Sequence, residues 1–376
     1  MAGAERYVPE AGVCDDGVGG GANVRLLCRR FGIAPKTGYK WLARFRAGGV
    51  EALCDRSRRP KNSPGRTPEN LERQVVQLRA AHQAWGGRKI SARLKNLGLA
   101  PVPAPSTVTG ILQRHGLIDP DEAASHRPWR RFERAHPNDL WQMDFKGPVR
   151  LRTWVCHPLT ILDDNSRFSL AVRACRDQKT ATVKAVLINV FRTYGLPWWM
   201  LMDNGSPWGG DLEHPYTPLI VWLMLLGVGV SHGRPYHPQT QGKDERFNRT
   251  LKAELLGQDG FLNADDPQPH FDDWRNMYNT ERPHEAIGML PPVARYQPSQ
   301  RTYPETLPAI EYGPGDAVRR VQQGGFFSYL GRQLKVSKAF AGYPIALRPT
   351  ATDGAYAVFF CRQKIATVDL RAHNAP

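Results

Sequence analysis

The sequence predicts a multidomain protein with N-terminal all-α helix-turn-helix units, a central α/β core and a small C-terminal β-barrel. Three observations predict it. Two blocks with helical apolar spacing, within residues 23–48 and 71–117, are separated by a basic stretch that has nothing to bury. From Leu140 the texture changes to three strand-like runs and then alternating helices and strands, the pattern of a mixed sheet covered by helices. From Leu307 onward, short alternating runs are punctuated by glycine turns, which suits a small all-β unit.

At 376 residues the chain can form roughly two to four domains, each with its own core. A formal net charge of +16 calls for a polyanionic partner. A membrane is the weaker choice, because the longest apolar run, "LIVWLMLLGVGV" from Leu219, falls short of the roughly 18 residues that argue a transmembrane helix. The opening "MAGAERYVPEAGVCDDGVGGG" has neither the basic start nor the apolar middle of a secretory signal, so a cytoplasmic protein is expected. Cys14, Cys28, Cys54, Cys156, Cys175 and Cys361 are scattered without C-x-x-C spacing or a nearby histidine, which argues against a disulfide framework and against zinc.

In "NVRLLCRRFGIAPKTGYKWLARFRAGG", two short apolar-periodic segments break at Gly32, with Pro35 early in the second: helix, tight turn, helix. Val24, Leu27, Ile33, Trp41, Leu42 and Phe45 can pack together, while Lys36, Lys40 and Arg44 recur every four residues along one stripe suited to a major groove. The linker "DRSRRPKNSPGRTPE" offers Arg58 and Arg59 to phosphates or to a narrow minor groove. Ile90, Leu94 and Leu97 then have helical spacing, and Ser106 stands as a candidate N-cap before Val108, Ile111 and Leu112. The expected organisation is a helix-turn-helix domain at 1–56, a basic linker at 57–67 and a second helix-turn-helix domain at 68–118. A basic connector at 119–136, the α/β core with its C-terminal helix at 137–300 and the β-barrel at 301–376 complete it.

Three acids stand out inside the core. Strict alternation in "LWQMDFKG" puts Leu140, Gln142 and Asp144 on one strand face and Trp141, Met143 and Phe145 on the other. Asp203 directly follows the apolar strand "WWMLM", although Asp-Asn-Gly is also ordinary turn chemistry. The third lies in "QGKDERFNRTLKAELL", where Asp244 and Glu245 are neighbours. Phe247, Leu251 and Leu255 define the buried stripe of that helix; Asp244 projects to the stripe's side as a first-turn acid, and Glu245 points the other way, with Asn248, Arg249 and Lys252. Asp163 and Asp164 in "LDDNSR" read mainly as turn formers. In a strongly basic chain, such acids can hold two hard divalent cations for phosphodiester chemistry. No phosphate-binding Gly-Lys-Ser/Thr loop points to an ATP-driven machine.

The stretches "FGIAPKTGYKWLARF", "RFERAHPNDLWQMDFKG", "LDDNSRF", "DNGSPWG", "RPYHPQTQGKDERFNRTLKAEL" and "WRNMYNTERPHEAI" together resemble the bacterial insertion-sequence transposases with a retroviral-integrase-like DDE core, over about residues 23–300. The resemblance implies a ribonuclease-H-like core in which Asp144, Asp203 and Glu245 bind two Mg2+ ions, with Mn2+ as a substitute. It implies hydrolysis at transposon ends, attack of the new 3′ hydroxyl on target double-stranded DNA, and a homo-oligomer on DNA. Lys243, Arg249 and Lys252 are carried with it as DNA contacts. Two departures stand out. The stretch between Asp203 and Glu245 is a little longer than the family's usual spacing, with "GGDLEHPYTP" as the apparent insert. The family also carries a helix before "NVRLLC" where this chain has Gly-rich text, which raises the expectation of a shifted reading frame or mis-set start. The alternative reading is a catalytically inactive DNA-binding remnant or regulator; a third is a metal-dependent nuclease without strand transfer.

Overall fold

The computed structural model describes residues 23–54, 67–118, 133–203, 207–208, 216–232 and 242–371. Arg58 and Arg59, the Gly-rich N-terminal text and most of the "GGDLEHPYTP" insert lie outside them. The chain divides into two compact units, Met1–Arg66 and Thr67–Pro376.

In the first unit, α1 (Val24–Arg30) is capped by Asn23, whose side chain accepts from Leu26 N, and α2 (Pro35–Gly48) starts with its proline in the first turn. Gly32, at φ +64°, supplies the left-handed residue that the turn between them needs. Cys28, Leu42 and Leu53 are buried. Lys36 and Lys40 are exposed and Arg44 is half-buried.

The second unit opens with three helices, α3 (Glu69–Ala81), α4 (Gly87–Asn96) and α5 (Pro105–Arg114). Val75, Trp85, Ile90, Leu94, Val108, Ile111 and Leu112 form their core. Leu97 sits just past the end of α4 and stays 53% exposed, and Ala104 takes the N-cap expected of Ser106 because Pro105 already occupies the first turn. These helices belong to the same compact unit as the core: Met277 packs into their cluster, Arg93 pairs with Glu281 at 2.7 Å and Arg88 with Glu285 at 3.0 Å.

The core sheet contains β1 (Leu140–Phe145), β2 (Val149–Arg150), β3 (Val155–Asp163), β4 (Ser169–Cys175), β5 (Trp199–Met202) and β6 (Gly229–His232). Their order is β2-β3-β1-β5-β6, with β4 also on β3. β1, β3 and β4 pair antiparallel, whereas β5 lies parallel to β1 and β6 parallel to β5. An antiparallel meander extended by two parallel crossover strands is the ribonuclease-H-like arrangement. On one face Trp141, Met143 and Ile161 pack against α6 (Thr180–Tyr194) and α7 (Pro218–Leu225). On the other, Cys156, Leu162 and Val172 meet α8 (Gly242–Leu251), its π-helical continuation Lys252–Leu256, α9 (Asp259–Leu262) and α10 (Gln268–Thr280).

The C-terminal strands correct the expectation of a barrel. β7 (Ala317–Arg320), β10 (Pro344–Pro349), β11 (Ala355–Phe360) and β12 (Gln363–Asp369) form an open antiparallel sheet in the order β12-β11-β10-β7, and β8 (Phe326–Tyr329) pairs with β9 (Arg332–Lys335) in a separate two-stranded sheet. The physical reason lies in α7. Seven successive residues, Leu219–Leu225, are buried, because Leu219, Trp222 and Leu223 face the core sheet while Ile220, Val221, Met224 and Leu225 join Phe340, Ile345, Leu347, Val358 and Phe360. A core helix covers apolar surface that closure would otherwise have to hide.

Candidate active site

The parallel pairing of Gln142 with Leu201 carries Asp144 and Asp203 to the same end of adjacent strands, each two positions beyond that pair. The two acids expected from strands are thus brought together. Asp144 is half-buried; burial, and then the charge of Asp203, push its carboxyl up to about 6, against the opposing pull of the Phe145 backbone N–H, Asn248 and Lys146. Asn248 Nδ2 donates to Asp144 Oδ2 at 3.1 Å. Asp203 is exposed, and its carbonyl lies 3.2 Å from His232 Nδ1.

α8 behaves as its period predicts along the apolar stripe, with Phe247, Leu251 and Leu255 at 2%, 0% and 5% exposure. Asp244 shares that stripe and is buried, and Glu245 is exposed beside exposed Arg249 and Lys252. Asn248 departs from the expectation: four residues after Asp244, it lies on the buried face against Asp144. Burial, then the charges of Asp144 and Asp164, hold the Asp244 carboxyl well above the usual carboxylate range. Glu245 is not gathered with the strand acids: among the described residues, no three His, Cys, Asp or Glu side chains form a metal-holding group.

The turn between β3 and β4 braces this site from behind. Asp163 accepts from Ser166 N at 2.7 Å, from Ser166 Oγ at 2.6 Å and from Asn138 N at 2.7 Å, which is the turn-forming role expected of it. Asp164 accepts from Gln142 Nε2 at 2.7 Å and from Arg134 N at 2.8 Å, and it takes the ammonium of Lys243. Lys243, expected at DNA, therefore has a side chain only 16% exposed and turned onto a buried acid. Sequence reasoning assigned no part here to Gln142 or Asn248, yet both had a signal: Gln142 shares the strand face of Asp144, and Asn248 lies one helical turn after Asp244.

The donors present suit a hard divalent cation, which takes oxygen ligands and favours carboxylates. Asp144 and Asp203 supply two, and buried oxygens of Gln142, Asp244 and Asn248 have no hydrogen-bond partner.

Four domain families match the chain in order. Residues 37–112 match a homeodomain-like domain, 134–238 and 226–292 match integrase core domains, and 316–376 match the C-terminal domain of IS481 family transposases. An uncharacterized 39.2 kDa protein of insertion element IS476 from Xanthomonas euvesicatoria is 24% identical over 68% of this chain and 72% of its own length. The Gag-Pol polyprotein of avian reticuloendotheliosis virus is 26% identical over 33% of this chain, which spans 10% of that polyprotein. The catalytic core domain of BIV integrase is 21% identical, covering 42% of this chain and 92% of that one, with a TM-score of 0.33. Among the described residues no helix is long and apolar enough to cross a membrane. Together these matches support a bacterial insertion-sequence transposase with a retroviral-integrase-like core.

Proposed function

We propose that this chain is a DDE transposase that binds the ends of its element, cleaves them and joins the new 3′ hydroxyls to target double-stranded DNA, with Asp144, Asp203 and Glu245 as its catalytic acids. One observation carries the proposal: two carboxylates converge at the ends of adjacent parallel strands, beside a helix that bears a third acid in its first turn. Two Mg2+ ions, or Mn2+ in their place, would supply an activated water or 3′ hydroxyl and neutralise the leaving oxygen. Asp144 and Asp203 would hold them jointly. Glu245, exposed on α8, would join when DNA brings its phosphates to the site, an ordinary tightening between free and substrate-bound enzymes.

The protein's own groups do the rest. Asn248 keeps Asp144 oriented through its 3.1 Å bond. Exposed Arg249 and Lys252 lie four and seven residues beyond Glu245, on its side of the helix, where they would contact phosphates. Lys36, Lys40 and Arg44 on α2 would enter a major groove, and Arg58 and Arg59 would track the backbone between the two helical units. Because two element ends must meet, we expect the active form to be a homo-oligomer assembled on DNA in the cytoplasm.

The test is strand transfer in Mg2+ with DNA bearing the element's end sequence, comparing the wild type with Asp203→Asn. Loss of cleavage and joining with DNA binding retained supports the assignment. Equal activity in both removes the proposed site, and binding without any cleavage by the wild type favours a DNA-binding regulator.

A further inference from the structure

Asp244 occupies a position that helix periodicity reserves for an apolar side chain. Along α8 and its π-helical continuation, the inward residues are Asp244, Phe247, Asn248, Leu251 and Leu255, with exposures of 5%, 2%, 6%, 0% and 5%. A carboxylate at such a position is costly unless something compensates its charge. The nearest basic neighbour in sequence offsets this only weakly: the Lys243 ammonium is turned onto Asp164, and its charge is the smallest influence on Asp244.

On the Gly242–Leu251 helix and the β1 strand that it contacts, three buried atoms share one chemical character. Asp244 Oδ1, Gln142 Oε1 and Asn248 Oδ1 are all buried, all acceptors, and all without a hydrogen-bond partner. The amide nitrogens are already committed: Gln142 Nε2 donates to Asp164 at 2.7 Å and Asn248 Nδ2 to Asp144 at 3.1 Å, which fixes the amide oxygens as the free ends. The charges of Asp144 and Asp164 both reach Asp244. Carboxylates alone do not complete a metal-holding group here. With the two amide oxygens added, the unpartnered atoms are all oxygens, and the Lys243 ammonium is taken by Asp164, which suits a hard divalent cation.

We propose that Asp244 is a fourth acid of the catalytic centre, binding a divalent cation jointly with Asp144 through a buried oxygen pocket completed by Gln142 and Asn248. This rests on the reading of Asp144 and Asp203 as cation ligands. Asp244 thereby gives the inner side of Asp144 a ligand that does not depend on Glu245, which stays exposed in the DNA-free protein. A cation can then be held before DNA arrives.

The experiment measures Mn2+ binding to the full-length, DNA-free protein by calorimetry, together with the thermal midpoint with and without Mn2+. The proteins are wild type, Asp244→Asn, Asp244→Val and Asp203→Asn. Asp244→Asn and Asp244→Val are expected to weaken Mn2+ binding at least tenfold and to shrink the Mn2+-induced rise in midpoint. Without Mn2+ both should melt at or above the wild-type temperature, because an uncompensated acid has left the core; the valine variant guards against a folding defect of the asparagine. Wild-type Mn2+ affinity in both Asp244 variants, with Asp203→Asn impaired, overturns this inference and leaves the proposed function standing. A wild type that binds no Mn2+, or an Asp203→Asn variant that binds as the wild type does, overturns the underlying site and this inference with it. A lower metal-free midpoint for Asp244→Val, with Mn2+ affinity unchanged, assigns Asp244 a packing role instead.

Discussion

The helix that carries Glu245 runs into a π-helical turn whose anchor is a buried ion pair, and breaking that pair should cost the whole second unit its stability. Glu254 and Arg282 have side chains only 7% and 8% exposed and meet at 2.9 Å through Arg282 Nε. The other Glu254 oxygen accepts from Trp274 Nε1 at 3.1 Å, and the Arg282 guanidinium lies 5.6 Å from the Tyr278 ring centroid. His284, 3.3 Å from Arg282 Nη1, cannot replace the lost cation: burial, and then the charges of Arg282 and Lys89, hold its pKa well below the ordinary value. Arg282→Met therefore leaves Glu254 as a buried charge with one neutral donor, a situation that typically costs about 3–5 kcal/mol. At about 2–4 °C per kcal/mol for domains approaching this size, the thermal midpoint should fall by roughly 6–20 °C. The double variant Glu254→Gln/Arg282→Met removes both charges and should recover at least about 2 kcal/mol of that loss, and the Glu254→Gln single variant completes the double-mutant cycle. Thermal unfolding followed by circular dichroism provides the assay. An Arg282→Met midpoint within about 2 °C of the wild type, a shift of no more than about 1 kcal/mol on the same scaling, would refute the reasoning. So would a double variant no more stable than the single one.

Three further outcomes follow from the same structure. Gly195→Ala should destabilise by more than about 2 kcal/mol, since its φ of +78° disfavours a side chain and a Cβ would sit 2.7 Å from Ser299 O and 2.8 Å from Arg301 O; Gly147→Ala, at φ +91° but with open space around it, should cost only about 1–2 kcal/mol in denaturant unfolding. Asp144, raised to about 6, keeps its proton in the metal-free fold across a window where the unfolded chain loses it, so its contribution to stability declines as pH rises from about 4 to about 6. Cation binding displaces that proton, and the Mg2+-induced rise in midpoint should be larger at about pH 7.5 than at about pH 5; equal rises would contradict the assignment. Replacing Lys36 and Lys40 together by alanine should reduce the salt dependence of DNA binding by about two, at roughly 0.9 per phosphate contact, and an unchanged slope would remove these residues from the phosphate interface.

The local patterns in the sequence carried far. Period-2 alternation placed Trp141 and Met143 in the core and Gln142 and Asp144 on the other face, and Asp163 of "DDNSR" proved to be the turn former that its chemistry implied, whereas Asp164 reaches across to Gln142 and Lys243. The buried stripe of α8 could be read in the same way, because a helix or strand buries whatever its own period brings to one side. The C-terminal strands were legible individually, but their openness was not: it depends on α7, a helix far earlier in the chain whose other face supplies the missing cover.

For the site, sequence alone determined which residues could act, and tertiary structure decided which of them meet. Asp144 and Asp203 converge because β5 lies parallel to β1 in one register, and a relation between strands so far apart in the chain is not written in the local pattern of either. The helix period separated Asp244 from Glu245 correctly as inward and outward. What acts on the inward face is set by packing, and there Asp244 meets the charges of Asp144, Asp164 and Lys243. Lys243 shows the same limit, since its charge was visible in the sequence, but only the fold reveals that it is turned onto Asp164. Periodicity is a property of one element and can be read from the chain; electrostatic partnership belongs to pairs of elements and exists only once they have packed.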